Sequence, residues 1–236
     1  MISRESGLQT RMMISGKVMR QSCIVLFFLA CGALLLGQTS VPERTVINNT
    51  IVSKRDPSVR IELPRNAQYV GAERWALYGI ADCELHAFVE ANAQKEVQRL
   101  YWVQFEQYLP SRPELHHTYD SPKHATIGGL DFYVDAWVRA KDAKTQAGSD
   151  REHIEKMIAA KGYKMPAAMI DVRLVHLLDP AKRKELMIIY GEDLGRTGFT
   201  ADQLSDGGSA YDRWPTFANG LLERAKTEIT IAAVKP

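Results

Sequence analysis

Cysteine is almost missing beyond the first forty residues. Of the three cysteines, Cys23 and Cys31 fall in an apolar segment near the N-terminus, and Cys83 stands alone after it. A single thiol excludes an internal disulfide framework, so the domain that follows has to be held by its core. A 236-residue chain is long enough for that even without its first 37 residues. An excess of charge of either sign is missing as well. The whole chain carries 30 basic and 28 acidic residues. Arg4, Arg11, Lys17 and Arg20 against Glu5 all precede residue 38, and subtracting those four and one leaves 26 against 27. The net charge of +2 thus becomes −1, and no basic excess remains to favour nucleic acid or an anionic membrane surface as partner. Also missing are the signatures HExxH, the Walker loop and GxGxxG.

A long hydrophobic run is absent too. The most apolar stretch, Cys23 to Gly37, is shorter than the roughly 20 residues a spanning helix needs. Lys17 and Arg20 precede it and Gln38-Thr39-Ser40 follows, which is the layout of a secretory leader. The expectation is a signal peptide over 1–37, cut near 37–40, with the remainder exported to the periplasm or beyond and no stable membrane span after cleavage. Two alternatives compete. Phe28-Leu-Ala-Cys31 resembles a lipobox, which would make Cys31 a lipidated residue, and the segment would otherwise stay as an N-terminal anchor. Asn48-Asn49-Thr50 is a glycosylation sequon, relevant in a eukaryotic host.

What the chain does have is period-two alternation. Residues 38–56 read as an arm or loose first strand, and Val59, Ile61 and Leu63 as a short strand ending at Pro64. Trp75 to Val89 alternates so regularly that one long strand is predicted. A turn over Ala91–Lys95 joins it to a second strand with Val97, Tyr101, Val103, Phe105 and Leu109. Leu130 to Arg139, Ala168 to Leu178 and Glu185 to Glu192 read as further strands. Ser149 with Glu152 is a capping box that opens a helix ending near Gly162. Trp214, Phe217, Leu221 and Ala225 recur at helical spacing and predict a C-terminal helix over about 213–229. Connections this short make the strand pairs antiparallel. The predicted fold class is α+β: one domain over 57–236, a twisted, mostly antiparallel sheet with two helices packed on one face.

Two groups of residues carry candidate chemistry. Asp82, Glu84 and His86 occupy alternate positions of the first long strand. If both odd faces of the hairpin point to the core, Trp102 joins them, with Asp131 and Asp135 from the next strand. Tyr78, Phe88, Tyr108, Tyr133 and Trp137 fall on the same nominal side, so this face reads as a ligand-binding concavity. It reads equally well as a wet sheet face, or as one covered by a helix or the N-terminal arm. The second group is the loop Glu114 to His124. There His116, His117, Asp120 and His124 supply ligands suited to a divalent metal such as zinc, at a spacing that matches no known metal signature. The plainer reading is a solvated loop rich in turn formers. Cys83, on the apolar side of its strand, reads as a buried and inert thiol.

These features lead to an exported, non-catalytic domain that binds a small molecule or an envelope protein without a cofactor. Two alternatives stand beside it. One is a metal-dependent, hydrolase-like enzyme using the 114–124 loop. The other is a purely structural envelope component, which a sheet face without a pocket would favour.

Overall fold

The computed structural model describes residues 40–140 and 144–234. The leader expected over 1–37, with Cys31, lies outside them. The class is as predicted, α+β with antiparallel pairing throughout the named strands, but two sheets are present where one was expected. The smaller is built from β1 (Thr45–Ile47), β2 (Thr50–Lys54) and β3 (Ser58–Glu62). Asn48 and Asn49, both at positive φ, form the two-residue turn between β1 and β2. The larger begins with β4 (Gln68–Leu77), β5 (Ala81–Ala91), β6 (Val97–Tyr108), β7 (His124–Ile127) and β8 (Leu130–Ala140). Helix α1 (Asp150–Ala160) comes next, then β9 (Ala168–Leu177) and β10 (Lys184–Asp193). A short α2 (Ala201–Leu204) leads to α3 (Trp214–Glu228) and β11 (Thr230–Ala233). The small sheet has the order β1-β2-β3-β11, and the large one β4-β5-β6-β10-β9-β8-β7.

Two sequence expectations fail here for local reasons. The strand predicted over 75–89 is broken at Tyr78, where Tyr78 and Gly79 take positive φ and the chain reverses into a hairpin. Alternation continues through that turn because the faces on either side of it happen to stay in phase. The second failure concerns register. Odd residues of β5 pair with even residues of β6: Glu84 lies opposite Phe105, His86 opposite Val103 and Ala87 opposite Trp102. A bulge between Glu90 and Ala91, near the turn, shifts the ladder by one residue and exchanges the faces.

The exchange goes unnoticed in the sequence because β6 is apolar on both sides. Leu100 and Trp102 belong to one buried cluster; Tyr101, Val103 and Phe105 belong to the other. The large sheet is therefore buried on both faces. One face, with Cys83, Leu85, Ala87 and Val89 of β5, receives Ile154 and Ile158 of α1. The opposite face, with Phe88, Val103, Val172 and Leu174, receives the small sheet through Ile51, Ile61 and Ile231 and α3 through Leu221, Leu222 and Ala225. The two helices thus lie on opposite faces, not on one. An amphipathic stripe states that a helix covers a sheet, not which side it covers.

Gly128 ties the two sheets together. It takes φ +58 in the β7–β8 turn, and a Cβ there would sit 2.1 Å from the Ile231 carbonyl oxygen of β11. Only glycine permits that approach. Helix α1 is capped by Ser149, whose hydroxyl accepts from Glu152 N at 3.3 Å, while Gly148 N donates to the Glu152 carboxylate at 2.7 Å. Among the described residues no helix is long and apolar enough to cross a membrane.

Candidate functional site

The six residues expected to form one ligand-binding face are divided between two. Asp82, Glu84 and His86 point to the α3 face; Trp102, Asp131 and Asp135 belong to the α1 face, as the register of β5, β6, β10, β9 and β8 requires. On the α3 face the three residues hold the N-terminal arm. The Glu84 carboxylate accepts from Glu43 N (2.8 Å), Arg44 N (2.8 Å) and Arg44 Nη1 (3.1 Å), and lies 2.9 Å from His86 Nε2. Burial alone would raise this carboxyl. The bonds from His86 and from the Glu43 and Arg44 backbone outweigh it and bring the pKa down to about 2. Asp82 pairs with Arg74 (Nε to Oδ1, 2.9 Å), which also reaches Glu43. The crevice left beside them holds only about 60 Å³, and its charged groups already pair with one another. The arm covering anticipated as one reading is what these residues serve.

The 114–124 loop does not gather its ligands. His116, Asp120 and His124 are exposed while His117 is buried. His124 instead begins β7 and pairs with Asp131 at 3.1 Å. Among the described residues no group of three or more His, Cys, Asp or Glu is placed to hold a metal ion. The loop is not loose, however. Arg183 donates to the carbonyls of Tyr108, Leu109, Arg112, Pro113 and Leu115, and His117 N donates to Lys182 O at 2.7 Å. This clamp lays His117 and Tyr119 over the end of β10. There His117 Nδ1 lies 3.0 Å from Glu185 Oε2, and the Tyr119 hydroxyl donates to the same oxygen at 2.7 Å.

Sequence reading missed the polar groups that line the α1 face. Glu106 and Glu185 are directly opposite each other on β6 and β10. Burial, aided by Glu106, pushes the Glu185 carboxyl up to about 8, and burial raises Glu106 too. Two buried carboxylates in register repel when both ionise, so the pair retains a proton at neutral pH. Desolvation also pushes His117 down to about 4, which leaves the imidazole neutral above it. A ladder of donors reaches Glu106. Trp102 Nε1 donates to Gln104 (3.0 Å), Gln104 Nε2 to Glu106 (3.1 Å), and the Cys83 thiol to Glu106 (3.3 Å). Burial holds that thiol protonated, as its apolar strand face implied.

Beside this acid pair, toward the other end of the same strands, the face opens into a pocket of about 400 Å³. Trp102, Met187 and Ile189 form its floor and Trp137 a wall. The first turn of α1 contributes Asp150 and Arg151. Arg173 and the Arg139–Asp171 pair (2.6 and 3.0 Å) supply the remaining charges. Arg173 Nη2 donates to Asp135 at 2.7 Å. Its guanidinium lies 5.2 Å from the Tyr119 ring centre and 5.8 Å from that of Trp137. Of the expected set only Trp102 lines the pocket, with Trp137 opposite it, while Asp135 acts on it through its bond to Arg173. Asp131 stays exposed at the far end with His124. The signal that would have located Arg173 and Asp171 was charge on alternate positions of an otherwise apolar β9. Compared with known protein families, with characterised proteins and with solved structures, the chain finds no match.

Proposed function

We propose that this chain is exported and binds a small ligand in the pocket on the α1 face of the large sheet. The observation that carries the reading is the pocket itself. About 400 Å³ lie between two tryptophans, a methionine and an isoleucine, with a few convergent polar groups. This is the composition and size of a small-molecule site. The division of labour between the faces supports it, since on the α3 face Glu84 and Asp82 are committed to the arm and little space is left beside them. The reading is one of binding and not of catalysis. Glu185, whose raised pKa would suit a general acid, sits beneath Tyr119 and His117 and outside the pocket lining. Export rests on the leader pattern of residues 17–40, and mass measurement of the N-terminus of the protein recovered from its native host tests that part.

Binding is tested by titrating small-molecule fragments while following tryptophan fluorescence, in the natural protein and in Trp137→Ala. Ligands of the pocket should quench the natural protein and bind the variant at least about tenfold more weakly, since an aromatic contact contributes about 1 kcal/mol or more beyond its area. Equal affinity in both proteins would remove the pocket from consideration.

A further inference from the structure

We propose that the ligand is a small organic acid, with a planar apolar body against Trp102 and Trp137 and its carboxylate on Arg173. The inference rests on the binding reading above and adds the chemical class. Three arginines line the pocket, and two are already committed. Arg139 makes a two-pronged pair with the fully buried Asp171, and Arg151 donates to Glu155 (2.8 Å) and to the Ala140 carbonyl (3.4 Å). Arg173 differs. Asp135 takes one of its nitrogens, Nη2, while Nη1 makes no hydrogen bond among the described residues and the guanidinium lines the pocket. A carboxylate is the acceptor that such a guanidinium binds best.

Position and charge select against the alternatives. The rings of Tyr119 and Trp137, which would otherwise attract a ligand cation, already face the Arg173 guanidinium. A cationic ligand would meet like charge there. An uncharged ligand would fill the apolar floor but would meet Arg173 only through a weaker neutral hydrogen bond. Asp150 at the start of α1 does not oppose an anion strongly, because burial there disfavours its charged form.

Calorimetric titration with 1-naphthoate, 1-naphthamide and 1-naphthylmethylammonium tests the assignment. These probes share a planar body and differ in charge. The acid should bind roughly tenfold or more tightly than the amide, and the ammonium weakest of the three. Arg173→Gln should abolish the preference for the acid while leaving the amide within about twofold, and Arg173→Lys should retain part of it. Asp135→Asn, which frees the guanidinium without removing it, should not weaken the acid. Equal affinity for acid and amide, unchanged in Arg173→Gln, would overturn the anion assignment and leave the pocket standing. Tightest binding of the ammonium would overturn it as well. Failure of all three probes to bind would remove the pocket reading together with it.

Discussion

The two faces of the large sheet are made by the same strands, yet the buried glutamates on them are held in opposite ways. On the α3 face Glu84 is ionised and saturated, with its oxygens engaged by two backbone N–H groups, an arginine and a histidine. On the α1 face Glu106 and Glu185 stand opposite each other, and burial drives both toward the protonated form. The first arrangement fastens a segment in place. The second holds Glu185 beneath Tyr119 and His117, and beside that group it opens into the pocket that Arg173 lines. Beside the first little space is left, whereas beside the second the sheet leaves room for a ligand.

Breaking the fastened face should have the largest effect. Glu84→Ala leaves Arg44, His86 and two backbone donors facing an empty acceptor position, and should cost about 3–5 kcal/mol in urea unfolding. Limited proteolysis should then cut the arm near Arg44 and Arg55. Next comes the joint between the sheets. Gly128→Ala combines a positive φ with a Cβ that meets the Ile231 carbonyl, at a cost of about 2–4 kcal/mol by the same measurement.

The faces should also differ in the sign of their pH dependence. The folded pKa of Glu84 is depressed to about 2, so its contribution is present above about pH 4.5 and disappears as the pH falls toward 2. For Glu185 the sign is reversed. Its folded pKa is raised from 4.5 to about 8, so the native state binds the extra proton between those values and stability falls as pH rises through that window. The slope is at most about 1.4 kcal/mol per pH unit, or roughly 3 °C per unit in Tm for a chain of this size. Glu185→Gln should flatten the Tm profile between pH 5 and 8, and should melt higher than the natural protein at pH 8.5. A profile unchanged by the substitution would show that Glu185 titrates normally.

Much of this fold is legible in the residues. Strands β6, β8, β9 and β10, the Ser149 cap and the C-terminal helix announce themselves through alternation, cap chemistry and helical spacing. Topology is less visible, because both faces of the large sheet are buried. In β6 Tyr101-Trp-Val-Gln-Phe reads as apolar from either side, so a bulge at Glu90–Ala91 can exchange the faces with no trace in the pattern. That exchange separated Trp102 from Glu84 and His86. β11 was missed because a four-residue strand after a helix carries no period of its own. The histidine-rich loop attracted attention by composition, but Arg183, nearly sixty residues later, decides its course through carbonyl bonds that no side-chain pattern encodes. The pocket was half legible: its two tryptophans were noticed, whereas Arg173 and Asp150 come from elements too distant in sequence to be associated with them.

The indole N–H resonances of the four tryptophans offer the most direct comparison of the two faces. A fragment mixture titrated into the ¹⁵N-labelled protein should shift the indole signals of Trp102 and Trp137, which line the pocket, and leave that of Trp214, packed among the core residues of the α3 face, in place. Shifts at Trp214 with none at Trp102 and Trp137 would place the binding surface on the α3 face and contradict the division drawn here.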